Sequence, residues 1–182
     1  MRFASFMLRP LFLFITCIIL TGTASIGHGQ GIPEDNTVAM IRANYLYQFA
    51  NNNNWPVETK KGKFTVGIVG SQDVFEFMAA KYGTKPIGSQ TLDVLSVNEL
   101  PQNVQFHILY IDKSRRNDLP KYLRELKDKN TLIVTNWEGA IGGGSQINFK
   151  NIDGSIRFEL SKLSMEDKGI TPGIKILQWA IQ

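Results

Sequence analysis

From Val38 the apolar positions Val38, Ile41, Tyr45 and Phe49 recur at helical spacing, and Met40, Ala43 and Leu46 widen the stripe. The pattern predicts a first helix that docks on other structure. It runs into Asn51 to Asn54, poor helix formers that favour a helix exit and loop, and then meets Trp55 and Pro56. Lys63 to Gly70 is nearly continuous in apolar residues, as expected of a strand covered on both faces. Ser71 then offers a helix cap, and Val74, Phe77, Met78 and Tyr82 mark a buried stripe that ends near Gly83. Further strands are predicted at Thr91 to Val97, Phe106 to Ile111 and Thr131 to Thr135, with a helix over Leu119 to Lys127 that turns Leu119, Leu123 and Leu126 inward.

Beyond Gly142 the alternation changes. Gln146 to Phe149 and Ser155 to Leu160 read as short strands joined through Asn151, Ile152, Asp153 and Gly154, where Asp-Gly signals a hairpin. Thr171 and Pro172 supply a helix cap and first residue, and Ile174, Leu177 and Ile181 give the last helix its inward stripe. Strands alternating with helices imply an α/β fold of three layers. A mainly parallel open sheet carries helices on both faces, and the C-terminal β-hairpin sits at its edge.

The chain's first thirty residues have a different layout. Arg2 and Arg9 bracket a basic start, Leu11 to Leu20 is a short apolar run, and Gly22, Thr23, Ala24 and Ser25 are small. This is the plan of a secretory signal peptide over residues 1–29, with cleavage after Ala24 or Gly29. The run is too short to span a membrane, which takes about 20 residues. The expectation is one exported α/β domain over residues 30–182 that works in the periplasm.

Losing Arg2 and Arg9 takes the formal charge from +4 to +2, so nucleic acid is a poor fit for a partner. The one cysteine, Cys17, leaves with the leader, which removes disulfides, thiol nucleophiles and thiolate metal sites. With two histidines in the whole chain, His28 and His107, a His-rich metal cluster is excluded by counting. His107, flanked by Phe106 and Ile108 in a strand, reads as a packed core residue. No metal, no cofactor and no catalytic residue is expected, and the chain is read as no enzyme.

Candidate binding residues fall in two groups. Gly70 and Ser71, at the carboxyl end of the first long strand, and Asp112, at the end of another, occupy the place where open sheets bind ligands. A strand-to-helix turn and a turn cap are the plainer readings. Gly142, Gly143 and Gly144 lack the following helix and Lys of a phosphate loop, and read as a flexible lead-in to the hairpin or as a ligand or partner loop. Trp137 and Glu138 stand in the loop just before them, where an exposed aromatic anchors a partner. Arg157 and Glu159 share one side of their strand and pair with each other or across the hairpin.

Two blocks together resemble a family. Ala43, Tyr45, Leu46, Tyr47, Phe49 and Ala50 before Trp55 and Pro56 are similar to its opening helix. Gly143, Gly144, Ile147, Phe149, Ile156, Arg157, Phe158, Glu159 and Leu160 are similar to its closing Gly-Gly and paired strands. Between them Phe64 to Gly70, His107 to Ile111 and Thr131 to Val134 fall at the expected strands. The chain resembles the YfiR family of exported regulators along nearly its whole mature length.

The resemblance implies a periplasmic protein, often a homodimer, that binds the outward-facing domain of an inner-membrane signalling enzyme. Its best-known target is the diguanylate cyclase YfiN, held inactive so that cyclic di-GMP falls, and the outer-membrane lipoprotein YfiB sequesters the regulator. A sensor histidine kinase as partner, or capture of a small solute near Gly70 and Asp112, are the alternatives. The partner surface expected from the C-terminal hairpin and the loop before it comprises Trp137, Glu138, Gly143, Gly144, Phe158 and Glu159. Phe106 stands where many relatives carry Cys, and the other family cysteines are missing, so disulfide-based redox control is not expected. Ser161 replaces the usual Asn after the Phe-Glu block.

Overall fold

The asparagine tract does more than end the first helix. In the computed structural model, which describes residues 34–181, α1 (Glu34–Asn52) continues to Asn52. Three amides then turn back on its last carbonyls: Asn51 donates to Tyr47 O at 3.0 Å, Asn52 to Gln48 O at 2.9 Å and Asn53 to Phe49 O at 3.0 Å. Acceptors that helix geometry leaves open are thereby satisfied. Asn53 and Asn54 then form a short strand, β1 (Asn53–Asn54). The leader and both cleavage sites lie outside the described residues.

β2 (Phe64–Val69) is buried at all six positions. It feeds α2 (Gln72–Tyr82), capped by Ser71, whose hydroxyl accepts from the Val74 amide. A small hairpin follows, β3 (Pro86–Ile87) and β4 (Gln90–Ser96). β5 (Ile108–Ile111) leads through a 3-10 turn into α3 (Leu119–Glu125), then β6 (Leu132–Thr135), β7 (Ile147–Ile152) and β8 (Ser155–Leu160). The chain closes with α4 (Lys162–Glu166), β9 (Thr171–Pro172) and α5 (Ile174–Trp179).

The seven-stranded sheet has the order β3-β4-β2-β5-β6-β7-β8. β4, β2, β5, β6 and β7 run parallel, and β3 and β8 pair antiparallel at the two edges. Alternate side chains divide the core. Phe64, Val66, Ile68, Tyr110, Val134 and Phe149 meet α1 and α2 on one face, while Val69, Leu109, Ile111 and Ile133 meet Leu119, Tyr122 and Leu126 on the other. The three-layer α/β reading, with the hairpin at the edge, describes this architecture.

Two local expectations need correction. Thr171 and Pro172 do not start a helix; they form β9, which pairs antiparallel with β1, and Gly173 stands at the helix cap instead. That pairing sets the rotation of α5, so Ile176 is its buried residue, and Ile174 (75%) and Leu177 (38%) are exposed. In α3 the inward set is Leu119, Tyr122 and Leu126, with Leu123 half-buried, because the helix presents its i, i+3 and i+7 row. Ser161 caps α4 by accepting from Ser164 N at 3.2 Å, a role that a short polar side chain of either kind fills.

Candidate functional site

The segment from Asn136 to Ser145 is an ordered coil of turns rather than a flexible lead-in. Gly143 N–H donates to Gly139 O and Ala140 O, Gly144 N–H to Ile141 O, and Ser145 N–H to Ala140 O, all at 3.0–3.1 Å. Gly144 has φ +106, and a Cβ there would sit 2.9 Å from Leu123 Cδ1. Glycine lets the coil lie flat on α3, which is why the triplet stands here.

Beneath the coil is a buried polar network. Asn148, fully buried on β7, accepts from the Trp137 amide at 3.1 Å and from Thr135 Oγ1 at 3.0 Å. Its amide nitrogen donates to Glu159 Oε1 at 2.9 Å, and Lys150 Nζ lies 3.5 Å from Glu159 Oε2. Glu159 thus pairs across the hairpin and not with Arg157. Beside the coil a cleft of about 350 Å³ is lined by Asn136, Trp137, Glu138, Phe149, Lys150 and Asn151. Trp137 and Glu159 therefore meet on one buried asparagine and Glu138 lines the cleft beside Trp137, while Gly143 and Gly144 face α3. Phe158 is fully buried, its ring 4.9 Å from Phe49 and 5.3 Å from Tyr45, so it belongs to the core and not to a contact surface.

The second group sits where β2 and β5 end side by side. Asp112 is buried and accepts from Ser114 N at 3.0 Å, Asn136 Nδ2 at 2.7 Å and Tyr110 OH at 3.1 Å, with Arg42 Nη1 at 3.7 Å. Asn136 in turn accepts from Lys113 N at 2.6 Å. Burial first, and the Asp112 carboxylate next to it, push the Tyr110 hydroxyl far above its ordinary range. Ser114 Oγ donates to Gly70 O at 3.0 Å, and Ser114 and Arg115 crowd the Gly70 Cα, whose φ is +79. Ser71 is engaged as the α2 cap. The crevice is thus filled by the chain's own groups, which tie three loops together.

His107 uses both ring nitrogens inside the fold. Thr59 O is an acceptor at 2.8 Å from Nε2, so Nε2 carries the proton, and Nδ1 accepts from Thr65 N–H at 3.1 Å. The ring stacks on Phe64 at 4.2 Å, and burial pulls its pKa below the usual histidine value. Among the described residues no group of three or more His, Cys, Asp or Glu is placed to hold a metal ion.

Arg42, Asn136 and Asn148 escaped the sequence reading. Arg42 had a signal, being the one charged residue between Val38 and Ala50. Its Nε is buried without a hydrogen-bond partner. Asn148 had none, since a polar residue in an alternating strand reads as solvent-facing.

Comparison with curated proteins finds no match for the chain. Residues 39–181, which contain every strand of the sheet and both groups described above, match the YfiR/HmsC-like family, and the chain belongs to that family.

Proposed function

We propose that the protein is an exported regulator that binds the periplasmic domain of an inner-membrane signalling enzyme, a diguanylate cyclase, and holds it inactive. The family match over residues 39–181 carries this reading, because regulation of cyclic di-GMP signalling from the periplasm is what the family suggests. No helix among the described residues is long and apolar enough to cross a membrane, which fits a protein that reaches its target by binding. To turn an enzyme from mostly on to mostly off, such a regulator must prefer the inactive state by about 5 kcal/mol. The coil bearing Trp137 and Glu138, with Glu159 behind it, is proposed as part of the contact, since its backbone is fixed in advance on Asn148.

Deleting the gene tests the assignment. Cyclic di-GMP is expected to rise severalfold, and a cyclase is expected to co-purify with the tagged protein from solubilised inner membrane. An unchanged nucleotide level together with a co-purified histidine kinase would replace the cyclase by the kinase.

A further inference from the structure

A groove bounded by α1, β8 and α5 remains unassigned. It is about 470 Å³ in volume, runs between α1 and α5, and is lined by Ile41, Asn44, Tyr45 and Gln48 of α1, Arg157 of β8, and Gln178 and Trp179 at the end of the chain. Its walls are fixed. Tyr45 packs on Phe49, Phe149 and Phe158 at ring distances of 6.0, 5.9 and 5.3 Å. α5 is pinned at one end by the β1–β9 pair and at the other by Ile181 N–H, which donates to Phe158 O at 2.9 Å. A preformed site loses little entropy on binding.

The apolar surface here is out of proportion to the helix. Three of the six large hydrophobic residues exposed in the described structure, Ile174, Leu177 and Trp179, lie on six-residue α5, and Trp179, 41% exposed, lines the groove itself. Arg157 is the only charged lining residue, and it makes no ion pair among the described residues; Lys150 takes the Glu159 carboxylate instead. Ile41, Tyr45 and Trp179 beside one unpaired guanidinium favour a ligand with a bulky apolar group next to a carboxylate, and the amides of Asn44, Gln48 and Gln178 offer hydrogen bonds to its backbone. The groove is open to solvent, so a chain segment can reach it.

We propose that this groove docks a segment of a partner protein in which a large apolar side chain, seated between Tyr45 and Trp179, is followed within two residues by an Asp or Glu that pairs with Arg157. The inference deepens the regulatory reading by naming a second contact, but it concerns the groove whatever the partner is.

Selection of nine-residue peptides displayed on phage against the immobilised mature protein tests it without a cyclase. Enriched peptides are expected to carry the apolar–acidic pair. The tightest, made synthetically, is expected to shift Trp179 emission to shorter wavelength in a Trp137→Phe background. Arg157→Glu should weaken it at least tenfold, replacement of the peptide's acid by Lys should restore binding to that variant, and Trp179→Ala should weaken it at least tenfold by titration calorimetry, each variant keeping the parental melting temperature. Peptides that lack an acid, or that bind Arg157→Glu equally well, overturn the proposal. So does competition by free phenylalanine or glutamate at the peptide's own affinity, which marks a solute pocket, or a dimer that Arg157→Glu dissolves, which marks a second copy as the occupant. The gene-deletion experiment fails or succeeds separately, so loss of the cyclase assignment is not mistaken for loss of the groove.

Discussion

Gly173 has an ordinary φ of −74, yet a Cβ on it would overlap the carbonyl oxygen of Asn52, and its amide donates to Asn53 Oδ1 at 3.3 Å. Space rather than conformation demands glycine there. Gly173→Ala should cost about 1–3 kcal/mol, as overpacking does, seen as a lower urea midpoint with α1 and the large sheet intact. Asp112 sets a contrasting case, because four partners converge on one carboxylate. Asp112→Ala strands the Asn136 amide, the Tyr110 hydroxyl and Arg42, and should cost about 2–4 kcal/mol. Asp112→Asn keeps an acceptor and should cost markedly less; equal midpoints for the two variants would show that the hydrogen bonds contribute little. Arg42 went unread although it is the one charge between Val38 and Ala50, and its partner had no local signal at all, since Asp112 lies 70 positions away and on another layer. Asn148 shows the opposite difficulty: its burial comes from a coil folded over it, which strand alternation does not encode.

The elements most legible in the sequence are those with one dominant local cause. β2 is fully buried and its sequence is apolar almost throughout; Asp153 (φ 49) and Gly154 (φ 78) adopt the left-handed pair that a two-residue hairpin turn requires, and Asp-Gly announced it. Elements set by distant partners were missed. Thr171-Pro172 has the chemistry of a helix start, but pairing with Asn53-Asn54 prevails over it. The glycine-rich coil is the clearest instance, because its own turns are held in place by Leu123 of α3 and by Asn148 of β7, which its local sequence does not announce. Two substitutions separate these supports. Gly144→Ala combines a positive φ with a contact at 2.9 Å and should lift the coil off α3, while Asn148→Ala removes the acceptor under Trp137. Both should speed amide hydrogen exchange in residues 137–145 at least tenfold and leave α1 protected. Uniformly faster exchange would mean that the coil is not a separate unit. If the coil contacts the cyclase, both variants should also raise cyclic di-GMP although Trp137, Glu138 and Glu159 are retained.

At the scale of the whole molecule, one neutral imidazole links pH to stability. His107 bridges the Thr59 carbonyl and the Thr65 amide, its own amide donates to Thr65 O at 2.9 Å, and its carbonyl accepts from Leu132 N at 2.8 Å, so three neighbouring segments meet on it. A second ring proton would go to Nδ1, which faces the Thr65 N–H; two donors would then oppose each other in a site walled by Phe64 and Trp55. The folded state therefore resists protonation, and burial lowers the folded pKa below the unfolded value of about 6.5. Below about pH 6.5 the unfolded chain binds the proton that the folded one refuses, so the stability present above that pH is lost progressively as pH falls toward the folded pKa. Urea midpoints measured from pH 7.5 to 5 should decline accordingly. His107→Gln can offer an acceptor and a donor without titrating, and it should flatten the decline in this window while lowering the midpoint at pH 7.5. An unchanged slope in His107→Gln would assign the acid sensitivity to groups other than this imidazole. A flattened slope would identify the junction of β2, β5 and β6 as a place where acid weakens the scaffold that holds both the coil and the groove.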